Sequence, residues 1–198
     1  MRLVVDWDGT ITVRDSLVQV IHEFGDPALL AELEPRVGVD LTLHEEIALE
    51  FRAITTPLED VVAWVVENVE VRDGLHELAE RHRPLVISAG FHELIEPVLE
   101  REGVRLDVLA NRVDARPQGW VVEFRDEAAC ATCGEPCKRG SLAGEPYVYV
   151  GDGYSDRCAA LAADRVFARD ALARHLDELG VAYEPFGDLH DVAAALAK

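Results

Sequence analysis

Short apolar runs alternate with amphipathic stretches along this chain. Arg2–Val5 is rich in β-branched residues and stops at polar residues and a glycine, the form of a buried parallel strand. Leu85–Ser88 and Tyr147–Val150 have the same form and run into glycine-bearing turns, with Arg165–Ala168 a weaker fourth. Between them, Gly74–Arg81, Phe91–Arg101, Ser155–Ala163 and Ala171–Leu179 carry apolar residues at three- and four-residue spacing, which predicts helices. Gly103 and Gly180 sit where helix ends favour a left-handed residue. Strands alternating with helices predict an α/β fold, a doubly wound parallel sheet whose ligands gather at the carboxyl ends of the strands.

One stretch breaks the alternation. Residues from about 13 to 72 hold no convincing strand but several helix starts: Asp26-Pro27, and the capping boxes Thr42-Leu43-His44-Glu45 and Thr56-Pro57-Leu58-Glu59, the second with proline at the first helical position. This predicts a helical cap over 13–72 inserted into an α/β core made of 1–12 and 73–198. Residues 106–125 alternate around Pro117-Gln118-Gly119 and predict a small β excursion. There are no internal repeats and no low-complexity tracts.

Composition works mainly by exclusion. A chain of 198 residues, 49% hydrophobic and 29% charged, suits a single domain with an insertion and is no disordered acidic tail. A net charge of −19 and a pI near 4.6 argue against nucleic acid and anionic membranes as partners, since both attract basic surfaces. No apolar run reaches a membrane span, and Leu3–Val5 leads straight into Asp6, leaving no room for a signal peptide. With four cysteines, three of them between 130 and 137, a disulfide framework is not expected; a reducing cytoplasm is. The expected partner is a small molecule, bound by a monomer or homodimer.

Candidate chemistry begins at Asp6-Trp7-Asp8-Gly9-Thr10, directly after the first strand. Two carboxylates two residues apart off a strand end can share a metal ion or a phosphoryl group, while Gly9 permits a sharp turn and Thr10 can bond back to it. An ordinary Asp-Gly turn explains this motif almost as well. Three further features shift the balance. Ser88-Ala89-Gly90 puts a hydroxyl and backbone N–H groups at the second strand end, where an anion can bind. Lys138 offers one cation at a helix start. Gly151-Asp152-Gly153-Tyr154-Ser155-Asp156 adds two carboxylates after the Tyr147–Val150 strand. A helix cap, a solvated charge and a turn would explain each alone, but not their joint placement at strand ends and helix starts.

In this order the four motifs resemble those of the haloacid dehalogenase superfamily of phosphohydrolases, over essentially the whole chain, with the cap insertion expected of its phosphoserine-phosphatase-like branch. The nearest likeness is to methionine-salvage diketo-methylthio-phosphopentane phosphatases. Ser88-Ala89-Gly90-Phe91, the cysteine-rich Cys130–Lys138 approach and Phe167-Ala168-Arg169-Asp170 are all similar to theirs, although the cysteine segment is one residue longer. The resemblance implies that Asp6 is a nucleophile forming an aspartyl-phosphate and that Asp8 is the general acid and then base. It implies that Mg²⁺ is held by Asp6, the Asp8 carbonyl and Asp152, with Asp156 in the same cluster, and that Ser88 and Lys138 take the phosphoryl oxygens. Thr10, Ala89 and Gly90 would complete the substrate cradle.

Substrate choice would fall to the cap. Asp15 stands nine residues after Asp6, where phosphoserine phosphatases carry an acidic residue that reads the substrate amine; capping the helix near Ser16 is its simpler role. Arg52 can meet a carboxylate or polar oxygen, or be a solvated helix charge. Cys130, Cys133 and Cys137 have C-x₂-C-x₃-C spacing with Cys158 a distant fourth candidate, an incomplete match to paired zinc knuckles that reads more simply as reduced thiols in a loop. The seven histidines show no metal-ligand spacing. The main expectation is thus a Mg²⁺-dependent phosphomonoesterase. A phosphotransferase would use the same aspartyl-phosphate. A signalling receiver domain would place its acceptor after an internal strand and needs no helical insertion. A noncatalytic metal-binding scaffold would not need all of these motif residues.

Overall fold

A computed structural model of the chain describes residues 1–142 and 144–197. Its seven strands are β1 (Arg2–Val5), β2 (Leu85–Phe91), β3 (Asp107–Asp114), β4 (Val121–Glu123), β5 (Tyr147–Gly151), β6 (Arg165–Ala168) and β7 (Glu184–Pro185). They form one sheet in the order β4-β3-β2-β1-β5-β6-β7, parallel throughout except for β4. Strand β1 is central. The chain continues to β2 on one side and later crosses to β5 on the other, so a crevice opens at the carboxyl ends of β1, β2 and β5.

The apolar runs are continuous because both sheet faces are covered, and their side chains divide by the period of two. Leu3, Val5, Val86, Val148 and Val150 pack on one face; Val4, Leu85, Ile87, Tyr147 and Tyr149 pack on the other. Helices α5 (Leu75–His82), α6 (His92–Arg101) and α9 (Leu189–Leu196) cover the first face, and α7 (Arg157–Ala160) and α8 (Asp170–Leu179) the second. Among the described residues no helix is long and apolar enough to cross a membrane.

Between β1 and α5 lie α1 (Ser16–Phe24), α2 (Pro27–Leu33), α3 (Leu43–Arg52) and α4 (Leu58–Asn68). The chain leaves and re-enters the core through one antiparallel neck, where Thr12 pairs with Val71, Val13 N–H donates to Glu70 (2.9 Å) and Arg72 N–H to Ile11 (2.8 Å). The helical block shares its apolar core with the sheet. Ile47, Phe51, Ile54, Val61 and Val65 belong to the same buried cluster as Leu3 and Val5, and Trp120 closes the seam, its backbone N–H bonding Ile54 (3.1 Å) and its indole bonding Thr56 (2.9 Å).

Several local expectations change. The Thr42 capping box forms, with Thr42 N–H on Glu45 Oε2 (2.8 Å) and Glu45 N–H on Thr42 Oγ1 (3.2 Å). The Thr56 box does not: Pro57 itself precedes α4 without a side-chain cap bond, and the Thr56 carbonyl serves Trp120 instead. The excursion at 106–125 is more than a small appendage, because β3 runs for eight residues in the main sheet before β4 turns back on it. The helix expected over Ser155–Ala163 shortens to a tight turn at Tyr154–Asp156 and one α-turn, since the Asp156 carboxylate folds back on the preceding loop. Strand β7 has only two residues, too few to show a periodicity.

Candidate active site

The first loop is built to hold two carboxyls apart. Asp6 N–H bonds Val150 (2.9 Å), which extends the β1–β5 pairing to the last residue before the turn. Gly9 then adopts φ +73°, and a methyl group there would collide with the Asp152 carboxylate, so both conformation and close approach require glycine. Thr10 Oγ1 donates to Asp152 Oδ1 (3.0 Å), tying the first motif to the last. Beneath the loop the buried Arg72 guanidinium donates to the carbonyls of Thr10 (2.9 Å), Gly9 (2.9 Å), Thr12 (3.3 Å) and Gly187 (3.2 Å). Nothing in the local sequence marks Arg72, because all these partners come from other segments.

Lys138 lies at the start of a short 3₁₀ turn and is 4% exposed. Its ammonium bridges Asp6 Oδ1 (2.5 Å) and Asp156 Oδ1 (2.7 Å). Burial alone would lower its pKa, but Asp156 and Asp6 outweigh burial and raise it, so it stays protonated. Burial and then the Asp156 carboxylate push Asp6 well above the usual carboxylate range, while Lys138 pulls it back. Asp156 is fully engaged: Oδ1 also accepts from Tyr149 Oη (2.7 Å), and Oδ2 accepts from Asp152 N–H and Gly153 N–H (2.9 Å each). It therefore stands behind the site, holding Lys138 and the Asp152 loop.

Asp8 faces the other way. Its Oδ1 accepts from Ser16 N–H (2.9 Å) and from the Ser16 hydroxyl, and its Oδ2 from Ser88 Oγ (3.3 Å). Burial raises its pKa and the Ser16 bonds oppose that rise. Ser88 Oγ in turn accepts from Gly90 N–H (2.8 Å), and Asn111 fixes the same strand end by donating to the Ala89 carbonyl (2.7 Å). Register between β2 and β3 shifts from Ile87 to Phe91, which is where the Ser88–Gly90 segment turns toward Asp8.

Carboxylate oxygens of Asp6, Asp152 and Asp156 lie within 4.8 Å of one another. Asp152 is pushed up to about 6 by burial and by Asp156. Crowded, charge-raised oxygen donors with one lysine among them suit a hard divalent cation, which would relieve their mutual repulsion.

A cleft of about 480 Å³ opens over these carboxyls. Asp6, Asp8, Asp15, Ala89 and Asp152 line it, so it gathers residues from three of the four motifs, while Lys138 and Ser88 line an adjoining cavity of about 380 Å³. Asp15 caps α1, accepting from Val18 N–H (2.9 Å), and stands at the rim. Arg52 is not brought in. It is exposed at the end of α3, because two residues beyond Glu50 the helix has turned about 200° away from the cleft face. What α3 does present is Glu46 and Glu50, both buried, whose pKa values burial raises to about 7 and about 8. Glu50 Oε1 has no hydrogen-bond partner. The sequence did carry a signal for them: Glu46 and Glu50 share a helix face with Ile47 and Phe51.

The family profile of haloacid dehalogenase-like hydrolases matches residues 3–161. A 2-hydroxy-3-keto-5-methylthiopentenyl-1-phosphate phosphatase of Bacillus mycoides is 29% identical over 212 aligned positions, covering 99% of this chain and 95% of the relative. Its counterpart in a Bacillus cereus strain is 28% identical with the same coverage. Among solved structures, a phospho-aspartyl intermediate analogue of phosphoserine phosphatase superposes with a TM-score of 0.73 at 18% identity, covering 98% of this chain and 97% of that one. A substrate-bound phosphoserine phosphatase complex gives a TM-score of 0.73 at 17% identity, with the same coverage.

Proposed function

The chain belongs to the haloacid dehalogenase-like hydrolases, and from that premise we propose that it is a Mg²⁺-dependent phosphomonoesterase acting on a small phosphorylated metabolite through an aspartyl-phosphate on Asp6. The observation that carries this reading is the separation of two buried carboxyls, Asp6 held by Lys138 and Asp8 held by Ser16 and Ser88. Mg²⁺ would be held by the Asp6 and Asp152 carboxylates and the Asp8 carbonyl, with Asp156 in support. Bound there, it supplies charge neutralisation of the phosphoryl oxygens.

Each residue then has one task. An Asp6 oxygen attacks phosphorus as the bond to the substrate's alcohol oxygen breaks, giving the acyl phosphate. Asp8, whose pKa burial raises against the Ser16 bonds, gives its proton to the departing alkoxide. In the second half, water attacks the same phosphorus, Asp8 takes the water's proton, and Asp6 leaves as a carboxylate with inorganic phosphate released. Lys138 and Ser88 hold phosphoryl oxygens in line throughout. The helical block 13–72 acts as the cap and excludes water.

Within the cap the walls favour one kind of substrate. Leu17, Val18, Ile21, Leu30 and Ile47 are apolar, and Arg157 is the one basic side chain among the described cleft residues. Glu46 and Glu50, proton-bearing near neutrality, can donate to carbonyl or hydroxyl oxygens. That combination suits an uncharged, partly apolar body such as the methylthiopentenyl phosphate named for the Bacillus relatives, in preference to the amino acid carboxylate of phosphoserine. Asp6→Asn should abolish phosphate release from p-nitrophenyl phosphate in Mg²⁺ with unchanged circular dichroism; normal turnover overturns the mechanism. A panel of phosphoserine, methylthio-sugar phosphates, phosphocholine and sugar phosphates tests the substrate: the highest kcat/KM should fall on a methylthio-type ester.

A further inference from the structure

Four cysteines from two separate segments converge next to Lys138. Cys130, Cys133 and Cys137 lie on the loop between β4 and β5, and Cys158 on the single turn of α7. Their four sulfurs lie within 4.8 Å of one another, with Cys130 Sγ 3.8 Å from Cys158 Sγ, and all four are free thiols. A disulfide needs about 2.05 Å and joins only two of them. A tetrahedron of thiolates at a Zn–S distance of about 2.3 Å has edges of about 3.8 Å; the Cys130–Cys158 pair stands at that distance, and all four sulfurs lie within 4.8 Å of one another.

The backbone around the first two cysteines is already shaped as a metal knuckle. Gly134 N–H returns to the Cys130 carbonyl (2.8 Å), Cys130 N–H bonds Glu135 (2.9 Å), and Thr132 N–H points at Cys130 Sγ (3.4 Å). Gly134 takes φ +81°, letting the chain double back between Cys133 and Cys137. Residues 124–137 contain no helix or strand, and few apolar side chains anchor them. Yet this loop must deliver Lys138 into a site where it is 4% exposed.

We propose that Cys130, Cys133, Cys137 and Cys158 bind one zinc ion in a closed tetrathiolate site that staples the Lys138 loop to the helix following Asp156. The site is distinct from the carboxylate cluster and takes a soft cation where that cluster takes a hard one. It fixes both ends of the Lys138–Asp156 pair, since Cys137 precedes Lys138 directly and Cys158 follows Asp156 by two residues.

The full chain, purified under reducing conditions without chelator or added metal, should hold one zinc per chain by elemental analysis. Mercurial titration of the thiols should release it stoichiometrically. Cobalt(II) added to the stripped protein should give an intense visible ligand-field spectrum with a thiolate-to-metal charge-transfer band. Cys158→Ser and Cys133→Ser should each lower retained zinc at least tenfold. Should either variant fail to fold, the cobalt titration of the stripped wild type decides alone. A wild-type chain that takes up no cobalt with a thiolate signature overturns the proposal, as do iron in place of zinc, full zinc retention in both variants, or a disulfide within the cluster. None of these readouts depends on the phosphatase reaction, so the two proposals fail separately.

Discussion

Glu50 is the sharpest test of how the cap treats charge. Its carboxyl is 4% exposed, one oxygen has no partner, and Glu46, Asp15 and Glu34 add like charge around it. Burial first, and those neighbours second, raise its pKa from the ordinary 4.5 to about 8. Between those two values the folded chain keeps a proton that the unfolded chain has released. Stability from this group is therefore fully present below about pH 4.5 and is lost as the pH rises through about 8. At about 1.4 kcal/mol per pH unit the ceiling on that loss is roughly 5 kcal/mol. Relaxation and sharing of protons with Glu46 should reduce it to about 2–3 kcal/mol. Glu50→Gln removes the titration while keeping shape and a donor. Urea unfolding of both proteins at a series of pH values should show the variant's advantage growing by about 2 kcal/mol between about pH 5.5 and about pH 8.5. Parallel stability curves across that range would refute the reasoning, because they would mean that Glu50 ionises in the folded chain as freely as in the unfolded one.

Two other substitutions probe the first loop. Arg72→Lys keeps the charge but loses the fork that reaches five carbonyls, Val13 among them; we expect about 2–4 kcal/mol lost in urea unfolding and kcat on p-nitrophenyl phosphate reduced about tenfold, and unchanged kcat would show that the loop holds its shape unaided. Gly9→Ala should cost at least about a hundredfold in kcat, through the collision with Asp152 and the positive φ, with far-ultraviolet circular dichroism preserved; wild-type turnover would show that the Gly9–Asp152 approach is dispensable.

How much of this was legible in the sequence divides along one line, whether a signal is local. Strands β1, β2, β5 and β6 showed because a strand buried on both faces is a continuous apolar run. The helical block showed because Asp26 and Thr42 cap with their own neighbours. The motif carboxylates showed because each follows directly on a strand. What did not show depends on partners far along the chain. Thr56 reads as a cap, but α4 begins one residue later, with Pro57 at the cap position, and the Thr56 carbonyl accepts from Trp120 on another segment. Arg72 reads as an ordinary charge until the fold hands it carbonyls from Gly9 to Gly187. Cys158 joins the cysteine cluster only because α7 is held against a loop 28 residues earlier in the chain at Cys130. Glu50 lies between these cases, since its place on an apolar helix face was readable but the cleft it faces was not.

These remote supports have a common cause in charge. The chain carries 38 acidic against 19 basic residues, and its site crowds Asp6, Asp152 and Asp156 around a single ammonium. A phosphate ester is an anion approaching an acidic protein, so long-range fields do not draw it in. Capture has to come from cations fixed within a few ångströms, where low dielectric makes each one count for more. Lys138 can serve only if its position is set in advance, because a buried charge with a misplaced partner destabilises the fold instead of organising it. That requirement explains why Asp156 gives up both oxygens to hold Lys138, Tyr149 and the Asp152 loop in place of facing the cleft. It also fits the proposed role of the cysteines on the loop leading to Lys138, which has few apolar anchors beyond Phe124. The acidic surface sets the difficulty, and the distribution of the few buried basic groups, Lys138 above the carboxylates and Arg72 below the loop, is the answer the fold gives to it.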